Sequence, residues 1–81
     1  MEERVAVISI VVDKENAVEE LNALLHEYGS YIIGRMGIPY RKRNVNIISV
    51  AIDAPNDKIN ALCGALGRIE GVNAKAVFST L

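Results

Sequence analysis

The sequence predicts an α+β sandwich in which a four-stranded antiparallel sheet carries two helices on one face. Three observations lead there. Two β-branched runs, Val5–Val12 and Val45–Ile52, each end at an aspartate, Asp13 and Asp53. Each run is followed by apolar residues at helical spacing that stop at a glycine, Gly29 or Gly71. The two units also repeat. An offset of 40 carries Ile8 onto Ile48, Ser9 onto Ser49, Ile10 onto Val50, Val12 onto Ile52 and Asp13 onto Asp53, and an offset of 41 carries Val18, Leu21 and Leu25 onto Ile59, Leu62 and Leu66. Two βαβ halves with right-handed crossovers close most economically as the ferredoxin-like βαββαβ sandwich.

The elements follow in order. Val5–Val12 is too short and too β-branched for anything but a strand. Leu21, Leu24, Leu25 and Tyr28 form the stripe of a first helix over about 14–28, closed by Gly29. The stretch 31–36, a turn over 37–44 and the run 45–52 read as a hairpin of strands two and three. Pro55 suits the first turn of a second helix over about 55–69, whose stripe is Ile59, Leu62, Ala65, Leu66 and Ile69 and whose terminator is Glu70-Gly71. The stretch 72–79 is the fourth strand. At 81 residues the chain is read as one domain, 1–81.

Composition excludes several function classes. Half the residues are hydrophobic, which is enough for a packed core and too much for a disordered chain. Nine basic against ten acidic side chains leave a net charge of −1, so no global field recruits nucleic acid or an anionic membrane. No apolar run approaches the ~20 residues of a membrane helix, and the single cysteine cannot form an internal disulfide. A cytoplasmic protein is expected.

The two central strands are apolar on both sides. Ala6, Ile8, Ile10 and Val12 alternate with Val5, Val7, Ser9 and Val11, and Ile48, Val50 and Ile52 alternate with Val45, Ile47, Ser49 and Ala51. Two helices cover only one face of a sheet, so a partner is expected on the other, with Val5, Val7, Ser9, Val45, Ile47 and Ser49 at the interface. A second copy suits it best, because identical patches meet about a two-fold axis; a homo-dimer or tetramer is expected. The alternative is an apolar surface left open.

Catalytic machinery is not visible. His26 falls on the solvent side of the first helix and Cys63 at the edge of the second helix's stripe, so no His/Cys metal spacing and no Ser/His/Asp set can form. Asp13 and Asp53 sit where short acceptors cap helices. The central strands lack the aromatics on which an RNA-recognition motif stacks bases, and the first loop lacks the paired cysteines of a metallochaperone. The segment richest in chemistry is Gly34-Arg35-Met36-Gly37-Ile38-Pro39-Tyr40-Arg41-Lys42-Arg43, where two glycines leave room for an approaching group and four cations lie close to Tyr40. Gly34, Arg35, Met36, Gly37, Tyr40, Arg41 and Arg43 are therefore the candidate binding residues for a small anion or metabolite. A solvated turn with edge-strand glycines is the alternative.

Gly34–Tyr40, Asn46-Ile47-Ile48-Ser49 and Leu66-Gly67-Arg68-Ile69-Glu70-Gly71-Val72 together resemble the iron-only hydrogenase system regulator family, over nearly the whole chain. The resemblance implies an ACT-like domain, similar to the C-terminal domain of nickel-responsive repressors, that oligomerises and senses a ligand. It differs from amino-acid-binding ACT domains in having Lys14-Glu15-Asn16, not glycine, after Asp13, and from the nickel repressors in offering only His26 and Cys63 as soft ligands. No DNA-binding segment is visible, so contact with nucleic acid would need another protein. The expected function is a non-enzymatic regulatory module without a cofactor. A structural interaction subunit, or a small isomerase using Ser9, Ser49 or Tyr40, are the alternatives.

Overall fold

The computed structural model describes residues 3–80. Strand β1 spans Glu3–Val12, helix α1 Ala17–Glu27, β2 Ile32–Tyr40, β3 Val45–Pro55, α2 Asn56–Gly67 and β4 Val72–Phe78, with short 3-10 turns at Gly29–Tyr31 and Arg41–Arg43. The sheet is antiparallel in the order β2-β3-β1-β4, which is the ferredoxin-like arrangement expected from the repeat. Ser9 pairs with Ser49 at the middle of the β1–β3 ladder. A pseudo-two-fold axis through that pair carries residue i of β1 onto residue i + 40 of β3, which is the offset found in the sequence.

One face of the sheet and both helices share the core. Ala6, Ile8, Ile10 and Val12 of β1 and Ile48, Val50, Ile52 and Ala54 of β3 are buried against Leu21 and Leu25 of α1 and Ile59, Leu62 and Leu66 of α2. Each large side chain so buried contributes roughly 1.5–3 kcal/mol. Among the described residues no polar or charged side chain lies in this core. Arg4 ties the sheet's far corner together: its guanidinium sits 4.7 Å from the Phe78 ring centroid and donates to the Ser79 carbonyl at 3.1 Å.

Several boundaries differ from the sequence reading. Helix α1 begins at Ala17, not near residue 14, and the expected caps are not made: Asn16 and Pro55 stand at the N-cap positions, and neither helix has a side-chain capping bond. Asp53 instead lies within β3, opposite Val5. Pro55 ends that strand and precedes the helix, because its fixed φ suits an extended exit and its missing N–H costs nothing at the last ladder position. The hairpin turn is also shorter. Residues 37–40 extend β2, and the chain reverses over Arg41–Arg43 with Asn44 in the left-handed region at φ 56°. Pro39 is tolerated there because β2 is an edge strand.

Gly71 fixes the other end of the sheet. Its φ is +86°, and a Cβ there would stand 2.8 Å from Lys14 Cβ and 2.9 Å from Asp13 Oδ1. The Asp13 amide donates to the Gly71 carbonyl at 2.9 Å, which clamps the start of β4 against the β1–α1 junction.

Candidate functional site: the open sheet face and the β2 edge

Cross-strand pairing sorts the helix-free face into rows. Ile38, Ile47, Val11 and Asn73 form one; Met36, Ser49, Ser9 and Lys75 the next; Gly34, Ala51, Val7 and Val77 the third. Tyr40 and Val45 lie beyond the first row, Asp53 and Val5 beyond the third. Met36 and Val77 are each 67% exposed and Ile38 58%, while Ile8 and Val50 on the opposite side are fully buried. The band is apolar and crossed at its middle by two small hydroxyl residues. Val5, Val7, Ser9, Val45, Ile47 and Ser49 all lie on this face.

Strand β2 carries an irregularity that decides where its side chains point. Ile32 pairs with Ile52 on the helix side, yet Gly34 pairs with Ala51 on the open side, so Ile33 is one residue too many between them. Such a bulge reverses the alternation that follows it. Arg35 is thereby turned to the helix side, opposite Val50, and Met36, Ile38 and Tyr40 to the open side.

The candidate binding residues are consequently divided. Arg35 lies beside α1, where its Nη2 donates to Asn22 Oδ1 at 3.1 Å. With Asn22, Leu25, His26, Gly29 and Ile32 it lines a shallow groove of about 310 Å³. Tyr40 and Arg41 line a second groove, of about 320 Å³, between the hairpin and the β1–α1 junction, shared with Asp13, Lys14, Glu15 and Asn44. Met36 stands on the open face. Arg43 is exposed at the turn, and no described atom lies within 4 Å of where a Cβ would stand on Gly34 or Gly37.

A family model described as "Iron-only hydrogenase system regulator, putative", TM1266-like, matches residues 4–76. The chain belongs to the TM1266-like family. Its fold is similar to that of the uncharacterized protein TM1266 from Thermotoga maritima, at 42% sequence identity and a TM-score of 0.91, over 95% of this chain and 98% of that one. No curated protein matches.

The remaining chemistry of this TM1266-like domain is sparse. Among the described residues no group of His, Cys, Asp and Glu gathers in a metal-binding arrangement, and the one ion pair is Lys14–Glu70, 2.8 Å apart on the surface. That contact, first as a hydrogen bond and then as a charge pair, raises the Lys14 pKa and lowers that of Glu70. Cys63 is partly buried, and desolvation pushes its thiol pKa up, opposed by a hydrogen bond with the Ala76 backbone. A raised pKa leaves less thiolate for nucleophilic work. No described helix is long and apolar enough to cross a membrane. His26 is exposed, as its place on the helical wheel requires, but it also lines the Arg35 groove together with Asn22, one turn away on the same flank of α1. Asn22 had no signal in the sequence; only the bulge brings an arginine to it.

Proposed function

We propose that this domain is a non-catalytic regulatory module that self-associates through its open sheet face and responds to a small anionic metabolite. The observation that carries the reading is the band of alternate apolar residues on β1, β2 and β3 that neither helix covers. A small monomer seldom leaves such a patch in water, and a patch with charge only near its borders, Asp53 and Lys75, suits a copy of itself better than a strongly charged partner. The family's description as a regulator supports a binding role. A metabolite that binds one assembly state better than another shifts the balance between them.

Sedimentation and native mass spectrometry test the first half. The wild-type chain is expected to run as a dimer or larger, and Ile47→Lys with Ile38→Lys to run as a folded monomer, since both side chains lie outside the core. A wild-type monomer at micromolar concentration would refute self-association. A thermal screen of small carboxylates and phosphorylated compounds tests the second half: a true ligand at a hundredfold excess over its Kd raises Tm by roughly 10–20 °C.

A further inference from the structure

We propose that the groove between α1 and the edge strand β2 is an oxyanion site in which Arg35 receives the carboxylate or phosphate of a small metabolite. The proposal rests on the ligand-sensing reading above and takes Arg35, alone of the candidate binding residues, as its recognition residue. Three features of the groove carry it.

Among the described residues Arg35 is a charge without a counter-charge. No described carboxylate pairs with it; its one hydrogen bond goes to a neutral amide oxygen. A guanidinium presents five N–H donors in a fixed fork suited to a carboxylate or phosphate, so four remain after the bond to Asn22. That bond also holds the long side chain in one orientation, which reduces the entropy lost when an anion is bound.

The neighbours are donors. With Asn22 Oδ1 engaged as acceptor, its Nδ2 is left to donate, and His26, four residues further along α1, offers a ring N–H on the same flank. Leu25 and Ile32 supply an apolar floor for the ligand's carbon skeleton, and Gly29 leaves one end open. A volume of about 310 Å³ admits a small molecule and no large one.

The bulge at Ile33 gives the arrangement a cause. Plain alternation from Ile32 would turn Arg35 to the open apolar face, where a charge opposes burial; the extra residue aims it into the groove and frees the open face for apolar side chains.

NMR titration of the 15N-labelled full chain, separately with inorganic phosphate and with succinate, tests the proposal. Saturable shifts are expected at Asn22, His26 and Arg35; a response to phosphate alone identifies a phosphorylated ligand, and one to succinate alone a carboxylate. Arg35→Gln should weaken binding at least about tenfold, the equivalent of one hydrogen bond to a charged group. Asn22→Ala should weaken it less, and Lys58→Gln, at an exposed position of α2 outside both grooves, should leave it unchanged, with dispersed spectra confirming the fold of each variant. Shifts gathered on Tyr40, Arg41 and Arg43 would overturn this assignment and leave ligand binding standing. No saturable shift anywhere would overturn both.

Discussion

Replacing Gly71 by alanine should cost more stability than the loss of two hydrogens suggests. At φ +86° an L-residue is strained by about 1–3 kcal/mol. The new Cβ would also stand 2.7 Å from Lys14 Cγ, 2.8 Å from Lys14 Cβ and 2.9 Å from Asp13 Oδ1. The lysine's outer atoms can swing away, but its Cβ is fixed to a backbone whose neighbour, Asp13, is hydrogen-bonded to Gly71 itself. Overpacking of this kind adds about 1–3 kcal/mol. With partial relaxation the total is about 2–4 kcal/mol, a fall in Tm of roughly 10–25 °C for a domain of this size. Urea and thermal denaturation at one fixed protomer concentration measure it, since self-association would make Tm concentration-dependent. Gly37→Ala is the control: nothing lies within 4 Å of its Cβ position, its φ is not in the left-handed region, and alanine there should be neutral or stabilising by up to about 1 kcal/mol. A Gly71→Ala protein within about 0.5 kcal/mol of wild type would refute the reasoning, because the clamp between β4 and the β1–α1 junction would then have to yield freely.

The Lys14–Glu70 pair should matter only between two pH limits. Glu70 has a lowered pKa, so its support is present above the ordinary carboxylate value of 4.5 and is lost as pH falls through the lowered value. Lys14 has a raised one, so its support is present below 10.5 and is lost as pH rises through the raised value. Glu70→Gln should therefore lower Tm slightly at neutral pH and low salt, with the gap closing in acid and in high salt; an equal gap in acid would contradict the assignment. Cys63 should be alkylated by iodoacetamide more slowly than free cysteine at neutral pH and should accelerate in alkali, because burial holds its thiol protonated. Rapid modification at neutral pH would contradict that reading.

Element order, pseudo-symmetry and the two-sided apolarity of the central strands were legible in the linear pattern of residues. Each of these is a matter of period: β-branched runs bounded by aspartate and glycine, helical stripes at 3.6 residues and alternation at two, repeated at a fixed offset. Gly71 was legible as a terminator, though not as the residue pressed against Lys14. The helix caps were misplaced at Asp13 and Asp53 because a capping side chain is chosen by loop geometry, and the chain enters its helices at Asn16 and Pro55. The extent of β2 was missed over residues 37–40, since glycine and proline signal a turn unless an edge position tolerates them. Tertiary structure alone decided which way Arg35 points. A bulge is set by how two strands register against each other, not by the residues of either, and one extra residue at Ile33 exchanges the faces of everything after it. Seven residues contiguous enough to suggest one site were thus divided among two grooves, a turn and an open face, while Asn22 and His26 of α1, outside that run, came to stand beside the arginine.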